Sequence, residues 1–210
     1  MPTIDSLELS ENTKTAYSLN LPAKKACPEK TAACEEVCYA DKGRMRMNGA
    51  LVTGRNWDRL QNDVTSVERI KLPKSNELAI RLLGAGDIYS LGFGRSMFRL
   101  CDKYPEKKFW AYTRSFSILR QLLREREIPA NLSLFVSADN DNIEDANYMA
   151  EKYGLPIAYM GDTAPEVESF VCPAISNPEK LPLTKKKSMA PCQICKYCFN
   201  PKMKQRRMEK

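Results

Sequence analysis

Residues 109–138 read FWAYTRSFSILRQLLREREIPANLSLFVSA. The run opens on Phe109 to Thr113, rich in aromatic residues, which predicts a strand. Phe116 to Glu127 follows, with Ile118, Leu119, Leu122 and Leu123 on one helical face. Leu132 to Ser137 is a second short apolar run. A strand, an amphipathic helix and a strand in this order predict a parallel pair joined by a right-handed crossover.

The same alternation extends in both directions. Downstream, Ile143 to Tyr153 predicts a helix closed by Gly154, Pro156 to Met160 a strand, and Phe170 to Cys172 a short last one. Upstream, Ser90 to Tyr104 predicts a helix, and Glu77 to Leu83 a strand ending in Gly84-Ala85-Gly86-Asp87. Trp57 to Lys71 predicts a helix stopped by Pro73, and Thr15 to Leu21 alternates like a first strand. A βα unit repeated about five times predicts an α/β fold with a parallel sheet. Ligands meet such sheets at the C-terminal ends of the strands. The segments expected on that rim are the Cys27–Cys38 loop, Gly84 to Asp87, Thr113-Arg114-Ser115, Ser137-Ala138-Asp139 and Gly161-Asp162. Residues 1–171 are read as this unit. Residues 172–210 are read as an irregular Cys-rich cap with a basic tail, since Pro173 to Pro191 holds several prolines and a lysine run without periodicity.

The chain has 210 residues, 43% of them apolar, which suffices for one core. No apolar run approaches the ~18 residues that span a bilayer, so no membrane association is expected. Met1 to Asp5 shows neither a basic start nor an apolar core, so no secretory leader is expected and a cytoplasmic setting follows. The net charge is +7, with much of the excess in Lys185-Lys186-Lys187 and in Lys202 to Lys210. These runs are read as solvated, with nucleic acid or an acidic protein as the alternative partner. No aromatic interleaving suggests a base-stacking surface.

Eight cysteines and no histidine decide more. Reducing compartments disfavour a disulfide frame. The missing imidazole excludes nucleophile mechanisms that need a histidine base, so any bound metal is held mainly by thiolate. Cys192, Cys195 and Cys198 form C-x2-C-x2-C, and Cys172 is followed by Pro173. That combination matches ferredoxin-type [4Fe–4S] sites. Zinc is the alternative at this site, although it more commonly draws on two separated C-x2-C pairs. Cys27, Cys34 and Cys38 form C-x6-C-x3-C. Three thiolates hold a [4Fe–4S] cluster with one iron left open, and open coordination marks catalytic metal sites. Cys101, inside an apolar helix, is read as a small buried hydrophobe.

Four stretches carry a family resemblance: Asn12-Thr13-Lys14-Thr15 through Cys38-Tyr39-Ala40, Arg81 to Ser90, Phe109 to Arg114, and Asn131 to Asp139. They resemble the phage gene product 88 family. The order of features also resembles a radical S-adenosylmethionine (SAM) enzyme core. That resemblance implies a partial parallel (β/α)5-6 TIM-like barrel with a cluster loop after its first strand, and Tyr39 beside Cys38 matches an aromatic residue common there. The spacing of the three cysteines departs from the C-x3-C-x2-C usual in those enzymes. The resemblance further implies that Gly84, Gly86 and Asp87 receive the SAM amino group, and that Ser137 and Asp139 touch its ribose or carboxylate. It places Arg114 opposite the carboxylate, and an electron from the cluster would cleave SAM to a radical. The cluster at Cys172, Cys192, Cys195 and Cys198 would be auxiliary. A binding or regulatory protein without enzymatic activity is the other reading.

Each of these residues also has a plain structural reading. Gly84 and Gly86 suit a tight turn. Asp87 suits the N-cap of the next helix, and Ser137, Asp139 and Asp141 suit the cap of the helix near Ile143. Trp110 and Tyr112 read as packing, and Arg44, Met45 and Met47 as surface or lid residues.

Overall fold

The computed structural model describes residues 6–42, 49–75, 78–161, 170–173, 186–200 and 208–209. One sheet of eight strands organises them. β1 (Leu9–Asn12) and β2 (Ala16–Asn20) form an antiparallel pair. β3 (Ile80–Ala85), β4 (Phe109–Thr113), β5 (Leu132–Ala138) and β6 (Ile157–Tyr159) then add in chain order, each parallel to the one before. Two-residue strands β7 (Phe170–Val171) and β8 (Met208–Glu209) finish the sheet in the order β6-β8-β7. The C-terminal segment thus contributes a strand to the main sheet. The described strand pairings form an open ladder from β1 to β7.

Three crossover helices, α3 (Leu91–Lys103), α4 (Phe116–Glu125) and α5 (Ile143–Tyr153), pack side by side, as consecutive parallel strands with one crossover hand require. Ser90 caps α3 by accepting from the Phe93 N–H, and Gly154 closes α5 at φ 64°. Upstream, α2 spans Ala50–Asn62 and breaks at Asp63. Asp63 caps a following 3₁₀ segment, Val64–Arg69. The helix expected over Trp57 to Lys71 is therefore an earlier α-helix plus a tighter turn, because the Asp63 side chain takes the Thr65 N–H. β1 escapes sequence reading because Leu9-Ser10-Glu11-Asn12 is mostly polar.

The strands alternate between two cores. Ile80, Leu82, Phe109, Ala111, Leu132, Leu134 and Val136 face the helices. Trp110, Tyr112, Phe135 and Ala158 face the other way, where Tyr197 and Phe199 cover them. The Trp110 and Phe199 rings lie 5.0 Å apart at 39°. The C-terminal cap thus lies on the sheet face that the helices leave bare.

Candidate functional site

The segment 23–42 follows β2 and carries Cys27, Cys34 and Cys38. A short helix, α1 (Ala32–Glu36), holds Cys34. Thr31 caps it, accepting from the Cys34 N–H and donating to Asp139 Oδ2 at 2.6 Å. The Ala33 N–H donates to Asp141, and the Ser117 N–H and hydroxyl donate to Glu29. The Asp87 N–H donates to the Ala26 carbonyl at 2.7 Å, and the Tyr39 hydroxyl to the Gly84 carbonyl. These ties come from the C-terminal ends of β3 and β5, from the loops that follow them and from the first turn of α4. The cysteine loop therefore lies over the rim that the βα alternation predicted.

The rim residues are bound mainly to one another. Asp87 Oδ1 accepts from the Thr113 hydroxyl at 2.6 Å and from the Ile88 N–H, and its Oδ2 accepts from the Arg114 N–H. Burial pushes its carboxyl pKa up, and those three donors oppose the shift. Asp139 Oδ2 also accepts from Arg114 Nη2 at 3.1 Å, and its Oδ1 accepts from the Asp141 N–H. Asp87, Arg114 and Asp139 are thus gathered in one place, and Ser137, two residues before Asp139, is buried without a side-chain tie to them among the described residues. The capping roles considered for them are not what the structure has. Ser90 caps α3 in place of Asp87, since the chain runs on extended to Ser90 before turning. Asn142 precedes α5 in place of Ser137, Asp139 or Asp141, because the Asp139 and Asp141 side chains are turned toward the cysteine loop.

Gly84 and Gly86 answer to sterics. Between Ser18 and Asn20 of β2 the partner strand advances from Arg81 to Ala85, a bulge that puts Leu83 at φ 58°. A Cβ on Gly84 would stand 2.2 Å from Asn20 Oδ1. Gly86 has φ +79°, and a Cβ there would stand 2.6 Å from the Leu21 Cβ.

The second cysteine group sits on the sheet face that the helices leave bare. A five-residue helix, α6 (Pro191–Cys195), begins at a proline, and Lys196 ends it in the left-handed region at φ 59°. Its anchor is Gln193, between the first two cysteines of the motif. The Gln193 side-chain amide donates to the carbonyls of Thr15 and Ala79, both at 2.8 Å, and accepts from the Ala79 N–H at 3.0 Å. The Cys192 N–H adds a bond to the Lys14 carbonyl. Cys192 and Cys198 pack against the Trp110–Phe135 core, and the Tyr112 hydroxyl donates to Cys198 Sγ at 2.8 Å.

None of the eight cysteines is in a disulfide. Burial pushes the Cys27 thiol up to about 11, with Asp87, Cys34 and Cys38 adding to the shift. Burial likewise pushes Cys192 up to about 12, helped by Cys198 and Cys172 and opposed by Lys14 and Arg81. Burial also raises Cys198, which feels Cys172 and Cys195. The thiols therefore fall into two neighbourhoods, Cys27 with Cys34 and Cys38, and Cys172 with Cys192, Cys195 and Cys198. Among the described residues no three cysteine or acidic side chains converge on one metal-ion position. Cys101 is fully buried in the helix-side core, and burial drives its thiol far up.

Asp162, Arg44, Met45, Met47, Lys185 and most of the basic stretch from Lys202 to Lys210 lie outside the described residues. Lys187 pairs with Glu11 at 2.8 Å. No described helix is long and apolar enough to cross a membrane. Sequence reasoning missed Gln193, Thr31 and Arg81. Only Arg81 left a signal, as a lone charge in the apolar run from Leu78 to Ala85.

Fold and site define a mixed α/β protein with a mostly parallel sheet, one group of cysteines over its strand ends and another in the C-terminal cap. The gene product 88 family model matches residues 3–201, and the chain belongs to that family. The Gene 88 protein of Mycobacterium phage L5 is 31% identical over 207 residues, covering 88% of this chain and 83% of that protein. The Gene 88 protein of Mycobacterium phage D29 is 30% identical over 209 residues, with the same two shares. No solved structure matches.

Proposed function

We propose that this chain is an iron–sulfur protein built on a segment of a (β/α) barrel, with a radical-SAM-like site at its rim. Consecutive parallel strands with their helices on one face are what such a segment requires. The carrying observation is the division of seven thiols into two neighbourhoods, each pinned to the sheet by contacts of its own. Cys27, Cys34 and Cys38 would hold one [4Fe–4S] cluster, and Cys172, Cys192, Cys195 and Cys198 a second. The donor set is all thiolate, which suits iron–sulfur clusters. Zinc asks for ligands about 2.3 Å from one centre, and a cubane takes thiolates spread over separate corners. The hydroxyl of Tyr112 on Cys198 Sγ is the kind of outer hydrogen bond that tunes a ligating sulfur.

A cluster with one open iron supplies an electron to a ligand chelated there. The chain's own residues position that ligand and exclude water. Thr31, Asp139 and Tyr39 hold the cysteine loop over the strand ends. Asp87 and Asp139 each keep one of about four lone-pair positions for a ligand donor. Arg114, already facing Asp139, has a buried Nε with no hydrogen-bond partner, which suits an acceptor on that ligand.

The test is iron, acid-labile sulfide and zinc per chain, on protein purified without oxygen. About eight irons with matching sulfide are expected for two [4Fe–4S] clusters. The Cys34→Ser and Cys195→Ser variants should each lose about half. Saturable SAM binding to the loaded protein, weakened in Asp87→Ala, completes the expectation. Zinc without sulfide would overturn the reading.

A further inference from the structure

Arg81 stands on β3 in register with Ser18 of β2 and Trp110 of β4. Its neighbours Ile80 and Leu82 belong to the helix-side core, so its side chain takes the opposite face, toward the cap. The guanidinium lies 5.2 Å from the centre of the Tyr112 ring. Its Nη2 reaches the Tyr39 hydroxyl only at 3.4 Å, and its Nε is buried with no hydrogen-bond partner.

Other arginines set the comparison. Arg59, Arg114 and Arg120 are partly buried, and each faces a carboxylate. Arg81 is partly buried too, and no ion pair to a carboxylate is formed by it among the described residues. The groups that favour its charge are the hydroxyls of Tyr39 and Tyr112 and the thiols of Cys192 and Cys198, while burial works against it. A guanidinium taken out of water without a counter-charge is strongly unfavourable. Cys192 and Cys198 as thiolates would offset part of that cost, and the unpartnered Nε–H is free to take a further anion.

We propose that Arg81 anchors an anion-binding site for the carboxylate or phosphate group of a ligand held between the two thiol neighbourhoods. A ring over a guanidinium occupies its face and leaves its edge, and the unused Nε–H lies on that edge. Nε–H together with an adjacent Nη–H forms the fork that takes two oxygens of a carboxylate or phosphate. One wall is Tyr39, next to Cys38 and tied to Gly84. The other is Tyr112, whose hydroxyl bonds Cys198. The bulge that strains Leu83 lies two residues from Arg81, and such strain concentrates at ligand sites. The proposal rests on the surroundings of Arg81 in the metal-free chain.

The test uses the reduced full chain, titrated calorimetrically with inorganic phosphate and, separately, with acetate. One saturable site per chain is expected for one of the two, which distinguishes the phosphate source from the carboxylate source. Arg81→Met should weaken it at least tenfold, and Arg124→Met, at an exposed position, should leave it unchanged. Undiminished binding in Arg81→Met overturns the proposal, as does the absence of saturable binding of either anion. Phosphate or acetate binding that vanishes on loading with Zn²⁺, with weaker Zn²⁺ binding by Arg81→Met, would give the guanidinium to the thiolate centre and overturn it too.

Discussion

Replacing Gln193 by alanine should detach the cap from the sheet, and the size of the effect follows from what the amide touches. Three hydrogen bonds are lost, two from its NH₂ and one to its oxygen. Each is worth about 1 kcal/mol net, and a buried backbone group left without a partner costs about 1–3 kcal/mol. Thr15 and Ala79 are 3% and 1% exposed, so water does not replace the amide without local opening. The expected loss is about 3 kcal/mol, which for a chain of this size corresponds to a fall of about 6–12 °C in Tm. Urea unfolding followed by tryptophan fluorescence reads it directly, because Trp110 lies beneath Phe199 of the cap. Gln193→Glu keeps the acceptor for the Ala79 N–H but cannot donate to the two carbonyls, so it should be at least as damaging at neutral pH. A loss under about 1 kcal/mol in both variants would refute the argument, since Thr15 and Ala79 would then have found other partners.

The other expectations concern the rim, the first strand and Cys101. Asp139→Ala removes the acceptor of Thr31 and the partner of nearly buried Arg114, and should cost about 3–5 kcal/mol; limited proteolysis within residues 23–42 should accelerate, and an unchanged cleavage rate would count against the clamp. Glu8 is held down to about 2, chiefly by the Arg55 hydrogen bond and also by Arg59, against an ordinary 4.5. Its folded pKa is depressed, so its stabilisation is present above about pH 4.5 and fades as pH falls toward 2. The difference in Tm between the parent and Glu8→Gln should accordingly shrink over that window, and a difference independent of pH would contradict the assignment. Cys101→Ala should leave iron and zinc content unchanged, and in the native chain the Cys101 thiol should resist alkylation until denaturant is added, which mass spectrometry of labelled peptides would show.

Much of the fold was legible because apolar periodicity survives in the chain as written. β4 and α5 fall on the residues their patterns mark, and β5, α3 and α4 come within about two residues of theirs. β3 is displaced toward Gly84 because its bulge stretches the strand past the apolar run that announced it. The spacings of Cys27, Cys34 and Cys38 and of Cys192, Cys195 and Cys198 were legible as motifs, but that Cys172, 20 residues before Cys192, lies near the second group is reported only by the tertiary structure.

What the sequence by itself determined is the alternation of elements and membership in the gene product 88 family. Tertiary structure alone decided that the first cysteine group lies over the strand ends and that Cys192 and Cys198 lie on the sheet face away from the helices. It also decided that Asp87 and Asp139 tie the cysteine loop to the rim, and that Gln193, which looks like a spacer in its motif, bonds to Thr15 and Ala79. The separations from Gln193 to Ala79 and from Thr31 to Asp139 are 114 and 108 residues. No local propensity reports a hydrogen bond of that range. Such bonds come into being only when the sheet brings its strand ends together, and the exclusion of water there makes each one matter.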